Sequence, residues 1–343
     1  MVDRPSLSSG VQTRRSFLAA AGIGSVASFA GCLSSGGSDN STVRMQTSTS
    51  GTTAYTANQG LASAINDESD DLDVEVASSD GTEQNIGDLN GEDAEMVYIQ
   101  NWSAHDIREG NEPYDGLDFD LTQVFHFYDL PWYFITNNED LETLSDIESG
   151  MTVSPTPEGS GTAAGLERAL EYAVDEYERG NADYSEQGSQ MNENQLDVGV
   201  GTLMNFTAVP SWMEDNMSSV DLRVLDVDDS TAEEWEDDDR VLAQPVDTSA
   251  LEDAETPGEI PAPTFSYNFV ARADLDYDTV YDFLEVMHEY RSDLEEYNAL
   301  LGFFEEEEFF VKNPYEGIPF HEAAADFYDE IGIWSDDFES AGN

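Results

Sequence analysis

The sequence has very little positive charge, one cysteine and one lysine. It contains 12 lysines and arginines against 74 aspartates and glutamates, and Lys312 is the only lysine. A chain this acidic repels nucleic acid and anionic lipid headgroups, so neither is an expected ligand. Because Cys32 is the only cysteine, no disulfide can form within the chain.

Cys32 follows a segment with the features of an export signal. Arg14 and Arg15 precede the apolar stretch Phe17–Ala30, whose 14 residues fall short of the roughly 20 that a membrane-spanning helix needs. This order predicts a twin-arginine signal peptide over residues 1–31, and a lipid on Cys32 that anchors the mature protein to the outer face of the cytoplasmic membrane. One lipid chain binds a membrane only marginally, so a second chain or a membrane partner is expected. The alternative is a soluble protein whose N-terminus merely resembles a signal.

The composition indicates a folded protein that is adapted to high salt. Without residues 1–31, which hold one aspartate and three arginines, the chain keeps 73 acidic and nine basic residues, a formal net charge of −64. Apolar residues make up 39% of the chain and aromatic residues 11%, too many for a disordered acidic tail. The acids are spread along the whole length. We therefore predict a halophilic surface whose carboxylates bind water and cations, and whose mutual repulsion is screened at molar salt.

Short strands and helices alternate along the chain, which favours an α/β fold. A Ser/Gly-rich tether is expected over residues 32–42. Two crossings between lobes predict a two-lobed architecture with a central cleft: lobe 1 over residues 43–136, lobe 2 over 137–263, and a return to lobe 1 over 264–343. Strands are predicted at Val43–Gln46, Leu72–Val76, Met96–Ile99, Trp132–Thr136, Met151–Ser154, Leu196–Val200, Leu222–Leu225 and Phe265–Ala271. Helices are predicted near Tyr55–Asn66, from Leu166 to a stop after Arg179, over Val280–Leu294 and near Ala323–Ile331, with a surface helix or loop at Ser230–Asp239 and a Pro-rich linker at Glu255–Pro263.

Two turns of similar design each join a strand to a helix, one in each predicted lobe. Glycine lets a backbone approach a ligand closely, and serine and threonine hydroxyls cap a helix or bind a ligand. The N–H groups at a helix N-terminus attract an anion. Ordinary helix capping explains a single turn of this kind equally well, but two turns that face one cleft would form an anion clamp. The predicted ligand-binding residues of these turns are Thr49, Ser50, Gly51, Thr52, Gly159, Ser160, Gly161 and Thr162.

Gln100 and Asn101 follow a predicted strand and are further candidates for ligand binding. In α/β folds, ligands lie beyond the carboxyl ends of strands. A capped loop is the alternative. Tyr128 and Phe206 could form the wall of a pocket, although aromatic residues at this density more often belong to the core.

The signatures of an enzyme are missing. The sequence around Ser160 lacks the G-x-S-x-G pattern of a hydrolase, and neither His288 nor His321 begins the histidine pair of a zinc protease. With 73 acidic residues in the mature chain, some carboxylate pairs are inevitable, so they indicate neither catalysis nor a Ca²⁺ or Na⁺ site. We therefore predict no catalytic residue, no metal site and no cofactor.

These segments together resemble the solute receptors of TRAP transporters, specifically the TAXI branch. The resemblance spans about Val43 to Gly332. No single motif is specific, but their order and spacing are. The motifs are the turn Thr47–Tyr55; Asn85, Gly91, Ala94 and Gln100 at the family's spacing; Pro157-Glu158-Gly159-Ser160-Gly161-Thr162; Val209-Pro210-Ser211; Phe269–Leu275; and Ile318–His321 with Phe327-Tyr328 and Gly332.

The resemblance implies a type II periplasmic-binding-protein-like fold that closes on a small solute and delivers it to a membrane permease driven by an ion gradient. It implies a carboxylate or amino acid, such as glutamate or 2-oxoglutarate, as solute. A receptor for an ABC importer and an enzyme on a related fold are the alternatives. The first turn has fewer glycines than the family pattern. The run Glu305–Glu308 between phenylalanines is not a family feature, and a solvated helical face is its simplest interpretation.

Overall fold

The computed structural model describes residues 40–157 and 160–342. The predicted signal peptide over residues 1–31, the lipid attachment at Cys32 and Gly159 of the second turn lie outside the described residues. Most of the predicted tether does so too, and its last two residues begin the first strand. Within the described ranges, no helix is both long and apolar enough to cross a membrane.

The strands and helices follow the periodicity of the sequence. In the segment Leu72–Ala77, buried and exposed positions alternate from Leu72 to Glu75, as expected for a strand with one buried face. In Thr53–Glu68, a helix buries Ala57, Leu61 and Ile65 on one side. The strands are β1 (Ser41–Gln46), β2 (Leu72–Ala77), β3 (Met96–Gln100), β4 (Leu121–Thr136), β5 (Thr152–Val153), β6 (Glu178–Arg179), β7 (Gly199–Thr202), β8 (Leu222–Val224), β9 (Ala243–Asp247), β10 (Ala254–Glu255) and β11 (Glu259–Arg272). The helices are α1 (Thr53–Glu68), α2 (Thr82–Asn90), α3 (Asn101–Glu109), α4 (Ala163–Glu171), α5 (Gln187–Asn192), α6 (Ser211–Ser219), α7 (Asp229–Asp237), α8 (Tyr277–Glu289), α9 (Leu294–Tyr297) and α10 (Glu322–Ile331).

Two long antiparallel strands, β4 and β11, hold the main sheet together. The strand order is β10-β8-β4-β11-β3-β1-β2, with β7 also paired to β4 and β9 to β11. One end of the β4–β11 pair meets β3, which continues through β1 to β2; we call β1, β2 and β3 the first strand group. The other end meets β7, β8 and β9, with β10 beside β8; we call these four strands the second strand group. This arrangement confirms the predicted α/β fold class, whereas the predicted lobe boundaries stay a prediction.

Aromatic residues pack tightly where the first strand group meets the C-terminal helices. Phe125 of β4 stacks on Phe269 of β11 at 4.8 Å and on Phe283 of α8 at 5.8 Å. Aromatic side chains bury large apolar areas, and such ring pairs add specific geometry to that burial. The residues of α8, α9 and α10 therefore form one core with β4 and β11.

The run Glu305–Glu308 spans the end of one short 3₁₀ helix, Ala299–Glu305, and the start of the next, Glu307–Val311, in agreement with the expected solvated helical segment. The flanking residues Phe304, Phe309 and Phe310 are buried, while Glu305, Glu306 and Glu308 are exposed. Glu307 accepts a hydrogen bond from His288 at 2.9 Å and forms an ion pair with Arg291 at 2.9 Å. The run thus fastens the C-terminal aromatic core to α8.

Two predicted elements are wrong. The expected Pro-rich linker is largely strand, because β11 starts at Glu259 and pairs with β9. The N–H of Thr264 donates to the carbonyl of Leu242, on the β9 side of the strand. Because N–H directions alternate along a strand, the N–H groups that Pro261 and Pro263 lack would point away from β9.

The second error concerns the helix expected to run to Arg179. It ends at Glu171, where the N–H groups of Tyr172 and Ala173 bond to carbonyls only three residues back, those of Ala169 and Leu170, and so tighten the last turn. Residues Glu178–Arg179 then form β6 beside β5.

Candidate functional site

The first turn caps helix α1 and leaves most of its hydroxyls at the surface. The Oγ1 atom of Thr52 accepts a hydrogen bond from the N–H of Tyr55 at 3.2 Å and lies 2.6 Å from the Oγ of Ser48. Thr49, Ser50 and Gly51 are exposed. The structure therefore holds Thr52 in a fixed place, while the other three predicted residues remain open to solvent.

The second turn is held by a chain of hydroxyl hydrogen bonds. The hydroxyl of Ser160 donates to Thr156 at 2.8 Å and lies 3.1 Å from the Oγ1 of Thr162. Thr162 is buried and immediately precedes α4, and Gly161 is exposed. The turn thus places two hydroxyls at the N-terminus of α4, a position that favours an anion.

Gln100 joins the second turn to the first strand group. Its side chain is buried, and its Nε2 atom donates to the carbonyl oxygen of Gly161. Its Oε1 atom lies 3.5 Å from the hydroxyl of Tyr267, which is its register partner on β11. Gln100 therefore contacts both walls of the predicted cleft.

Three buried tyrosines, Tyr98, Tyr128 and Tyr267, form what we call the tyrosine cluster. The rings of Tyr128 and Tyr267 stack at 4.7 Å with an interplanar angle of 3°, and Tyr98 meets Tyr267 edge-on at 4.9 Å. Ser48 and Tyr128 lie beside the hydroxyl of Tyr98. Burial raises the pKa of all three hydroxyls, so they stay protonated and can donate hydrogen bonds.

A second aromatic group contacts the second turn. The hydroxyl of Tyr184 lies beside Thr162 and Ser160, and burial raises its pKa. Its ring stacks against Trp132 at 5.5 Å and Trp212 at 5.1 Å. Together with the tyrosine cluster and Gln100, Tyr184 completes a continuous polar and aromatic path from the first turn to the second.

A groove with a volume of 950 Å³ lies outside this path. Gln100, Ser160 and Gly161 line one part of it, and the start of α2 around Gly81 lines another. The N-termini of α2 and α4 therefore both border the groove. The residues that line the groove include none of the first turn.

The remaining predicted residues have structural partners. The Oδ1 atom of Asn101 accepts the N–H of Ser266 at 2.9 Å, which fixes the start of α3 to β11. Tyr128 belongs to the tyrosine cluster. Phe206 lies under the ammonium group of Lys312, whose Nζ is 4.6 Å from the ring centroid.

Every basic side chain in the described part of the chain is already paired with an acid. Each of the nine lies within 4.0 Å of a carboxylate oxygen. The nine side chains that form these ion pairs are Arg44, Arg108, Arg168, Arg179, Arg223, Arg240, Arg272, Arg291 and Lys312. Recognition of an anion in this site would therefore fall to hydroxyls, amide groups and helix N-termini.

The ion pair at Lys312 lies inside a buried polar cluster. The Nζ of Lys312 is 2.8 Å from Asp129, whose carboxylate also accepts two hydrogen bonds of 3.0 Å from Asn313. His126 lies 3.6 Å from the same carboxylate and 2.8 Å from Asn268. Burial by itself would raise the pKa of Asp129, but the charges of His126 and Lys312 and the hydrogen bonds from Lys312 and Asn313 lower it overall.

This cluster predicts a loss of stability on acidification. Burial lowers the pKa of His126, so the unfolded chain takes up a proton more readily than the folded one. The free energy of unfolding should fall as the pH drops below about 6.5, and fall further as Asp129 is protonated below about pH 4. Urea unfolding at constant molar salt between pH 8 and pH 4 measures this. His126→Gln should flatten the slope between pH 7 and pH 5, and an unchanged slope would contradict the role given to His126.

Comparison with known families identifies the chain. The model of the NMT1-like family matches residues 45–332, most of its length. The chain belongs to the NMT1-like family. No curated protein matches it.

Several solved structures show limited similarity. Protein AF1704 from Archaeoglobus fulgidus shares 13% identity at a TM-score of 0.44, over 85% of this chain and 98% of that one. The periplasmic aliphatic sulphonate binding protein SsuA from Escherichia coli shares 14% identity at a TM-score of 0.44, over 76% of this chain and 77% of that one. The probable amino-acid ABC transporter extracellular-binding protein ytmK from Bacillus subtilis shares 10% identity at a TM-score of 0.45, over 75% of this chain and 96% of that one.

The sequence pointed to the two turns, to Gln100 and to Tyr128 as a possible pocket wall, but it missed the other tyrosines beside them. Tyr98 and Tyr267 lie in strands whose apolar pattern suggests core residues, and Tyr184 lies in a short polar 3₁₀ helix. A signal was present for Tyr98, because it lies two residues before Gln100 in β3 and so shares one face of the strand with it.

Proposed function

We propose that this protein is an extracytoplasmic solute receptor that captures a small anionic solute, a carboxylate or an amino acid, and delivers it to a membrane permease. Membership of the NMT1-like family supports a solute-binding role. The observation that carries the proposal is the bond from Gln100 to Gly161, which joins the end of β3 to a turn at a helix N-terminus. Hydroxyls and backbone N–H groups at such a place suit a carboxylate.

The proposed mechanism is closure around the solute. The solute carboxylate would meet the hydroxyls of Ser160 and Thr162 on one wall and the groups near Thr52 and Gln100 on the other. Contacts made only in the closed form would shift the population towards it. The long strands β4 and β11 run between the two strand groups, and the hinge is proposed near Thr136, where β4 ends, and near Pro263 of β11.

The proposal includes the export and transport steps that the sequence predicts. Residues 1–31 would direct export by the twin-arginine pathway, and a lipid on Cys32 would keep the receptor on the outer face of the cytoplasmic membrane. Its partner would be a TRAP permease of the TAXI type. Genes beside the coding sequence provide a check, since an ATPase in place of a fused multi-span permease would favour an ABC importer.

Calorimetry tests the binding site. The purified protein in molar salt is titrated with dicarboxylates, amino acids and oxoacids, and the solute that binds is then tested on a variant with Ser160→Ala and Thr162→Ala. Hydrogen bonds to a charged group contribute about 1.5–3 kcal/mol each, so the variant should bind more weakly by a few kcal/mol.

Thr248→Ala is the matched control. It removes a buried hydroxyl that donates to Gly258 at 2.6 Å, away from both turns. This variant should bind like the original protein. Unchanged affinity in the double variant would refute the role of the second turn, and turnover of the bound solute would favour an enzyme.

A further inference from the structure

Arg240 contacts a helix that belongs to the other strand group. Its guanidinium carbon lies 4.1 Å from the ring centroid of Trp102, and its NH2 atom lies 2.7 Å from the Oδ1 of Asp106. Both partners are on α3, which directly follows β3 of the first strand group. Arg240 lies just before β9 of the second strand group. The side chain therefore bridges the two groups.

The backbone of Arg240 is fixed to the helix that carries the second turn. Its N–H donates to the carboxylate of Asp238 at 3.0 Å. The same carboxylate accepts hydrogen bonds from Arg168 at 2.9 Å and from Tyr172 at 2.7 Å, and these residues lie in α4 and at its C-terminus. Arg240 is thus presented to Trp102 from a segment that is tied to α4.

The contact belongs to the same interface as the candidate site. Trp102 lies two residues after Gln100, which bonds the second turn. On the facing helix, a Cβ added at Gly165 would lie 2.5 Å from Phe265 and 3.3 Å from Trp102, so α4 can pack this closely only without a side chain there. Any separation of α4 from α3 would therefore strain or break the contacts of Arg240.

We propose that Arg240 acts as a clasp across the cleft, and that its contacts with Trp102 and Asp106 stabilise the closed arrangement. An arginine over a tryptophan ring gains from both the cation–π interaction and stacking. The Arg240 side chain is about one-third exposed and that of Asp106 only 15%. Molar salt screens the ion pair more than the ring contact, so the clasp can work in brine. Its effect on solute retention rests on the proposed receptor function.

The chain offers a matched control in Arg272. This arginine lies 5.0 Å from the ring centroid of Phe119 and its Nε is 2.9 Å from Asp274, so it makes the same two kinds of contact. Both partners, Phe119 and Asp274, lie at the same end of the β4–β11 pair as Arg272, so these contacts do not link the two strand groups. Removal of Arg272 should therefore cost similar local contacts without releasing the cleft.

Distance measurements between spin labels test the clasp. Labels are placed at Glu285→Cys on α8, which packs against β2, and at Asp215→Cys on α6, in a mature chain that lacks Cys32. Without added solute and in molar salt, Arg240→Ala should raise the ratio of long to short distances about fivefold or more, as expected for loss of a partly buried cation–π contact and ion pair. Asp106→Asn should shift the ratio less, in the same direction, and Arg272→Ala should leave it unchanged.

Two results would overturn the proposal. One is a distance distribution for Arg240→Ala that matches the unsubstituted protein, and the other is an equal shift for Arg240→Ala and Arg272→Ala. If Arg240→Ala does not fold, Arg240→Gln, which removes the charge but keeps a long side chain, and Asp106→Asn replace it, and unchanged distances in both would have the same meaning. Because no solute is present, failure of the receptor function would show only in calorimetry, and the distances would still decide on the clasp.

Discussion

Transfer from molar salt to dilute buffer is expected to unfold the protein. Residues 32–343 carry a formal net charge of −64, and all nine of their basic side chains, which lie within the described residues, are engaged in ion pairs. The remaining carboxylates have no basic side chain left to neutralise them. The Debye length rises from about 3 Å at 1 M salt to about 10 Å at 0.1 M, so repulsion between surface carboxylates grows as salt is removed.

Circular dichroism during stepwise dialysis measures this effect, with loss of the cooperative thermal transition expected below about 0.1 M salt. Sucrose at equal osmolarity is the control, because it favours compact states without screening charge. A cooperative transition retained below 0.1 M salt would contradict the halophilic assignment. Failure of sucrose to restore the transition would show that salt does more than favour compact states.

Removal of the only lysine is expected to give the second large effect. Lys312→Met leaves the carboxylate of Asp129, which is fully buried, without its ammonium partner at 2.8 Å. Breaking a buried ion pair costs about 3–5 kcal/mol, and since the Lys312 side chain is one-third exposed we expect about 2–4 kcal/mol. Urea unfolding in molar salt measures the change in the free energy of unfolding.

The double variant Asp129→Asn with Lys312→Met isolates the cause. It removes the buried charge together with its partner, and an amide at this position can still bond to Asn313. Its stability should recover most of the loss, as found in general when both members of a buried pair become neutral. Equal destabilisation in the single and double variants would show that the lysine acts by packing on Phe206 and Phe309.

Much of the fold could be predicted from local sequence. Strands β1, β2 and β3 and helices α1 and α10 have apolar residues at the period of the element they form, so pattern alone locates them. The linker at Glu255–Pro263 was wrong because proline content was taken to exclude a strand. In an antiparallel pair, every second residue of a strand points its N–H away from the neighbouring strand, so proline is tolerated there. Which residues these are depends on the register between the two strands.

The site could be predicted only in part, for a related reason. The two turns and Gln100 stood out by composition and by position at the ends of elements. The tyrosine cluster depends on the register between β3, β11 and β4, which brings Tyr98, Tyr267 and Tyr128 together from distant parts of the chain. Local periodicity contains no information about such pairing.

The position of β11 also sets the order in which the molecule can be completed. This strand lies between β3 and β4 in the sheet, yet it begins at Glu259, long after both neighbours in the chain. Until the ribosome has released that segment, β3 and β4 each expose an unpaired edge at the centre of the future sheet. A nascent chain that ends before Glu259 therefore lacks the central strand. A translation arrest at that point would leave β3 and β4 with unpaired edges that can aggregate with other chains.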